Sequence, residues 1–223
     1  GTYTVVATND TTGCVQQMNG IAVPTINIVD GGAIGSDQAV CENTSPMAFT
    51  NVTPATGGGS LTYQWESSPD NSTWTTIPGA TSALYAAGSI ATNTYFRRMA
   101  FSTMGTSVCS DPSNSVLVTA IIFNPGTLGP DQTVCESGDP AAIGTTAPTG
   151  SGAYGYGYQW KISTDGVNFS NIAGVTTDSF DPGALMTDTW YKREVTATFM
   201  TKACVEETNA VRISVNNFTP GSI

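Results

Sequence analysis

Five cysteines and no histidine set the chemistry open to this chain of 223 residues. Cys41 and Cys109 stand 68 residues apart, Cys135 and Cys204 stand 69 apart, and the two pairs occupy equivalent places in a sequence that is largely written twice. A zinc site would need close clusters of the CxxC type, which the sequence lacks. The spacing therefore predicts one disulfide per copy, closing a loop that chain entropy values at about 4 kcal/mol. Such bridges also predict a compartment outside a reducing cytosol. Cys14 is left over, with its natural partner expected upstream of Gly1.

With no histidine and the thiols committed to bridges, neither a Ser-His nor a Cys-His pair can activate a nucleophile. Two carboxylates could still work as acid and base. The acids, however, are scattered on turns, and Glu206 and Glu207 are sequence neighbours that would point apart on a strand. Asp37, Asp70, Asp131 and Asp165 fall at turns, where an aspartate bonds its own backbone, and no alternating run of oxygen ligands marks a calcium loop. The chain is expected not to be an enzyme and to carry no cofactor and no metal.

The most ligand-like stretch is Ala153 to Trp160, where Tyr154, Tyr156, Tyr158 and Trp160 would line one face of an extended strand. Such a row could stack on sugar rings. Tyr158 and Trp160 match Tyr63 and Trp65 of the first copy and read as core; Tyr156 stands where Leu61 does, and Tyr154 stands opposite Gly59. Tyr154 and Tyr156 are thus the candidate glycan contacts, with burial in a core as the competing reading.

The elements that must position these residues repeat in register. Gln38 to Cys41 returns as Gln132 to Cys135, Tyr63-Gln64-Trp65 as Tyr158-Gln159-Trp160, and Thr92 to Arg98 as Thr187 to Arg193. A repeat this long is a whole domain, because solenoid periods run to only about 50 residues. Short β-branched or aromatic runs are expected as strands at Thr2–Thr8, Gly20–Val23, Met47–Val52, Leu61–Ser67, Thr94–Phe101 and Ser115–Ala120, separated by turn residues. That is the pattern of tandem Ig-like antiparallel β-sandwich modules, an all-β fold arranged end to end. The expected divisions are 1–23, the closing strands of a preceding module; 24–120 and 121–216, two Ig-like modules; and 217–223, the start of a third copy that repeats Phe123 to Leu128. Trp65 and Trp160 are the expected core centres. Of Arg97-Arg98 and Lys192-Arg193, one member each should lie over an aromatic ring and pair with an acid such as Glu66. Pro24 and Phe123 should stiffen the joints, with Phe123 partly buried.

Seventeen acids against seven bases give a net charge of −10, which disfavours nucleic acid. No stretch approaches the roughly 18 apolar residues of a membrane span.

Tyr63-Gln64-Trp65, Ser68 to Trp74, Ile77 to Thr81, Thr92 to Arg98 and Cys109 to Asn114, each with its second copy, resemble the Ig-like repeats of large secreted surface proteins of gliding Bacteroidetes. Gly1-Thr2-Tyr3-Thr4-Val5, with Asn9 to Cys14, resembles the end of the SprB-type repeat of gliding adhesins. The resemblance implies a type IX-secreted adhesin or gliding-motility filament at the cell surface, whose partners would be surface polysaccharide, other surface proteins or neighbouring modules of the same chain. It implies as the alternative spacer modules of a secreted polysaccharide-degrading enzyme, beside which the tyrosine row and the acidic surface point to a carbohydrate-binding module. It supplies no catalytic residue.

Overall fold

The structure, a computed structural model, describes residues 5–18 and 25–217. The strand expected at Gly20–Val23, Pro24 and the opening of a third copy after residue 217 lie outside the described residues. Val5–Thr8 (β1) and Val15–Met18 (β2) form an antiparallel hairpin, with Asn9 accepting from the amides of Thr11 and Thr12 at its turn.

The first module contains Val29–Asp30 (β3), Ala33–Ile34 (β4), Gln38–Cys41 (β5), Asn51–Thr53 (β6), Thr56–Gly57 (β7), Ser60–Ser68 (β8), Thr75–Thr76 (β9), Thr94–Met104 (β10), Ser107–Pro112 (β11) and Val116–Ile121 (β12). Its main sheet runs in the order β5-β12-β10-β8-β9, with β11 continuing the edge of β10. The β5–β12 pairing is parallel and the rest antiparallel. The facing layer is built from the β4–β6 pair and the bridges Thr44 to Ile90 and Phe49 to Tyr85. The second module repeats this with Phe123–Asn124 (β13), Gln132–Cys135 (β14), Thr149–Gly150 (β15), Gly155–Ser163 (β16), Ser170–Asn171 (β17), Thr189–Phe199 (β18), Lys202–Glu207 (β19) and Val211–Asn216 (β20). Its sheet order is β14-β20-β18-β16-β17, with β19 on β18.

Alternation decides which residues enter each core. Along β8, Trp65 points inward and is fully buried; it packs on Phe49 and Tyr85, with ring centroids 5.5 and 5.4 Å away. Its indole N–H donates to the carbonyl of Ser82 at 2.9 Å, which satisfies the polar end of a buried tryptophan. Trp160 repeats the arrangement with Phe180 and the carbonyl of Thr177.

The same alternation buries a charge. Phe96, Arg98, Ala100 and Ser102 all face inward from β10, and Arg98 is completely enclosed. Its guanidinium lies 4.9 Å over Tyr63 and donates to the side-chain oxygen of Asn51 and to the carbonyls of Ala83 and Gly31. Arg193 does the same over Tyr158, donating to the carbonyls of Asp178, Pro125 and Thr146. Burial lowers both guanidinium pKa values, opposed by Tyr63 and by Tyr158 with Asp178. The outward members behave as the sequence implies: Arg97 meets Glu66 at 2.7 Å and lies 4.2 Å over Trp74, and Lys192 pairs with Glu207 over Phe169.

Gly126 adopts φ +80, and a Cβ there would stand 2.3 Å from the carbonyl oxygen of Thr146, one of the acceptors of Arg193. Both the left-handed backbone and the close approach require glycine. Gly126→Ala is expected to lower the denaturation midpoint of the second module, and an unchanged midpoint would show that the local backbone can give way.

The aspartates at the β8–β9 and β16–β17 turns cap their own loops. Asp70 accepts from the amides of Ser72 and Thr73 at 2.9 and 2.7 Å, and Asp165 accepts from those of Val167 and Asn168 at 2.8 Å. These amide donors hold both carboxyls well below the ordinary aspartate value of 3.8. A depressed folded-state pKa gives stability that is present above 3.8 and lost as pH falls below it toward the folded-state value. The double variant Asp70→Asn, Asp165→Asn should show a shallower fall in thermal midpoint between neutral pH and pH ~3 than the parent. Parallel curves would remove the turns from the acid response.

Candidate functional site at the joint between modules

The two modules follow end to end with no free linker, because β12 ends at Ile121 and β13 begins at Phe123. Three pieces of the second module converge on this point. The chain itself supplies Phe123, Tyr154 just before β16 and Tyr156 within it come next, and the β18–β19 hairpin supplies Ala197, Phe199 and Cys204. They close over Ile121, Ala39 and Cys41 of the first module, and Ile121 is left 2% exposed.

Aromatic rings organise the joint. Phe123 lies 6.1 Å from Tyr156, and Tyr154 meets Tyr156 and Phe199 edge-on at 6.3 and 6.2 Å. The Tyr154 hydroxyl accepts from the amide of Ile122 at 3.4 Å, and the amide of Ser151 donates to the Ile122 carbonyl. Burial, then Tyr154 and Tyr158, push the Tyr156 phenol up. The sequence-proposed glycan row is therefore split: Trp160 is core, and Tyr154 and Tyr156 are packed into the joint. Phe123 is partly buried there, and sequence reasoning missed Phe199 and Ile121 as its partners. Hydrophobicity at the ends of long strands was the available signal.

The cysteines require a correction. Cys41 is bonded to Cys204, across the joint, while Cys14, Cys109 and Cys135 are free thiols. Pairing within a module is excluded by register. Cys41 lies beside Ile121, three residues beyond the Val118–Thr94 pair, whereas Cys109 lies beside Ser102, eight residues along β10 in the other direction. At about 3.3 Å per residue the two cysteines sit roughly 35 Å apart, far outside the ~7 Å Cα reach of a disulfide. Cys135 and Cys204 are separated by the same register, being opposite Asn216 and Ala197. Alkylation in denaturant should accordingly label three of the five cysteines before reduction and all five after it. Labelling of only one before reduction would restore the pairing within modules.

Two shallow grooves flank the bridge. One, of about 180 Å³, is lined by Cys41, Glu42, Asn43, Phe123, Cys204 and Glu206. The other, of about 290 Å³, lies between Asp37 and β5 with Ser45–Met47 on one side and the Met200–Lys202 hairpin tip on the other. The first sets the carboxylates of Glu42 and Glu206 beside Phe123, and the second is bounded by Asp37 and Lys202. Among the described residues no helix is long and apolar enough to cross a membrane.

Strand order, buried tryptophans and the repeated sheets define a protein of tandem Ig-like β-sandwich modules. The chain belongs to the family described as Domain of unknown function (DUF8696), whose pattern matches residues 30–121 and again 124–217. No curated protein matches the sequence. Among solved structures it is similar to the three N-terminal domains of the Highly Immunogenic Outer Capsid protein of bacteriophage RB49, at 13% identity and a TM-score of 0.49, covering 97% of this chain and 79% of that one. It is also similar to the fibronectin(III)-like modules of Clostridium thermocellum CbhA, at 12% identity and a TM-score of 0.35, covering 86% of this chain and 95% of that one. A third likeness is to a SusE-like surface located polysaccharide binding protein of Bacteroides thetaiotaomicron, at 13% identity and a TM-score of 0.34, covering 94% of this chain and 41% of that one. All three fall below 0.5, and the fold assignment rests on the strand order.

Proposed function

We propose that the chain is a stretch of an extracellular stalk, in which Ig-like modules are locked end to end so that whatever they carry is held away from a cell surface. The observation that carries this reading is the bridge from Cys41 to Cys204 over a packed aromatic joint. A domain that binds on its own has no need of a covalent tie to its neighbour. A rod does, because a joint without linker residues fixes the angle and a disulfide keeps it fixed under load. A disulfide also fits an oxidising compartment. The resemblance of the repeats to gliding-motility adhesins extends the proposal to a type IX-secreted adhesin or filament protein, with no catalytic role for this stretch. Surface polysaccharide or another surface protein would then be the partner of the parent's binding parts.

The test is small-angle scattering of the oxidised chain. A maximum dimension near the summed length of two modules is expected, and it should broaden in the Cys41→Ser variant as the joint loosens. Modules lying side by side, or an oxidised chain as flexible as the variant, would overturn the stalk. The Tyr154→Ala and Tyr156→Ala variants are expected to loosen the joint in the same assay while leaving a glycan array unchanged. Glycan retention by the parent that both variants lose would favour the carbohydrate-binding alternative.

A further inference from the structure

The bridged cysteines belong to two series. Cys14, Cys109 and Cys204 recur every 95 residues, and Cys41 and Cys135 are 94 apart. Cys204 and Cys109 occupy the same place, in the second strand of a hairpin that begins with an eleven-residue strand, opposite Ala197 and Ser102 respectively. Cys41 and Cys135 likewise both end a short strand laid parallel to the last strand of their module, beside Ile121 and Asn216. In the one joint described whole, the strand-end cysteine of one module bonds the hairpin cysteine of the next.

Among the described residues, the outer ends of the pair present the same parts without a partner. Cys135 is exposed, and the Cys109 thiol sits 3.3 Å from the carbonyl of Asn27, on the residues leading into the first module. The hairpin of the first module also grips that lead-in segment: the Asn27 amide donates to the carbonyls of Ser102 and Ser107, and the Ser102 hydroxyl donates to Asn27. Ile26 and Ile28, 95 residues before Ile121 and Phe123, are 75% and 68% exposed, whereas Ile121 is 2% exposed. At the outer end of the first module the positions equivalent to Ile121 and Phe123 are thus apolar and open, with the free hairpin cysteine Cys109 beside that lead-in segment, and at the outer end of the second module the strand-end Cys135 is exposed.

Deepening the stalk reading, and resting on it, we infer that both outer ends are docking faces for further modules of the same repeat: Cys135 bonds the hairpin cysteine of a following module, and Cys109 bonds the strand-end cysteine of a preceding one. Each bridge joins two thiols with loss of two protons and two electrons to a disulfide oxidant, as for Cys41 and Cys204. The bridges then form two interleaved rails. Between consecutive bridges on one rail the covalent path is only the chain from Cys109 to Cys135, which spans at most about 90 Å when fully extended. Two whole modules would unravel to roughly 670 Å.

The experiment adds a module to the full chain. Residues 124–217 are repeated after residue 218, and in a second version residues 29–121 are placed there instead, so that each type of hairpin cysteine is offered. After oxidative folding and proteolysis without reduction, the expected product links Cys135 to Cys204 of the added copy in the first version and to Cys109 of the added copy in the second, with Cys41 to Cys204 retained. Cys204→Ser in the added copy alone should return Cys135 to the alkylatable pool. Cys135 left free in both versions, or bonded to Cys109 of the original copy, overturns the inference whether or not the added module folds. That outcome leaves the scattering test of the two-module rod untouched, so the failures of the two readings are distinguishable.

Discussion

Stretched between residues 25 and 217, the oxidised chain should reach a contour length of only about 100 Å, and the same chain in reductant about 670 Å. The difference follows from the load path. Tension entering at residue 25 reaches Cys41 and passes through sulfur to Cys204, so the 163 residues of separation between them carry no load. Only residues 25–41 and 204–217 can be drawn out. Reductant should therefore add roughly 570 Å. Single-molecule pulling measures this directly, and Cys41→Ser should give the long trace without reductant. Full-length release from the oxidised parent would mean that the bridge does not bear load, and the mechanical role would fall with it. A pairing inside each module would have given two separate releases, each shortened by its own loop.

The all-β architecture, the buried tryptophans and the two-fold repeat were legible because they depend on local alternation and turn chemistry. Trp65 lies two residues from Tyr63 on one face, and Asp70 stands where a turn needs an acceptor for its own amides. Strand lengths were less legible. The expected strand Met47–Val52 is reduced to β6 at Asn51–Thr53 with a single bridge at Phe49, and the expected strand Thr94–Phe101 runs on to Met104. That extension matters most, since it carries Cys109 and Cys204 away from their own modules' strand-end cysteines. Separations of 68 and 69 residues fit a loop closed within a module. Register alone shows that the loop's ends face opposite ways, and register is a non-local property. The tyrosine row is a related case. Alternation places Tyr154 and Tyr156 on one face, but the rings that pack on that face, Phe123 and Phe199, come from strands distant in sequence.

Replacing Arg193 by Met should lower the stability of the second module by about 3–4 kcal/mol, far more than Lys192→Met beside it. Sequence reasoning assigned one member of each basic pair to an acid and left the other without a partner, and the other proves to be the pin between the sheets. From β18, Arg193 reaches Pro125 at the entry of the module, Thr146 in the facing layer and Asp178 in the loop beyond, at 3.0, 2.9 and 2.7 Å. In an antibody domain a disulfide holds the two sheets in this region. Here a planar cation does so, with carbonyl dipoles and the Tyr158 ring in place of a carboxylate. Methionine fills much of the volume but leaves three partly buried carbonyls without their donor, and each orphaned acceptor costs about 1 kcal/mol or more. Lysine keeps the charge but, as a point donor, cannot span three acceptors that a fixed fork reaches. Arg193→Lys should therefore recover less than half of the loss. Lys192, paired with Glu207 at 3.3 Å with both side chains partly exposed, should cost under about 1 kcal/mol. Urea unfolding resolves the set: with a slope of about 1.5 kcal/mol/M, Arg193→Met should shift the midpoint by roughly 2 M and Lys192→Met by less than ~0.7 M. Equal shifts for the two would show that the buried guanidinium is a passenger, and that the sheets are held by their apolar contacts alone.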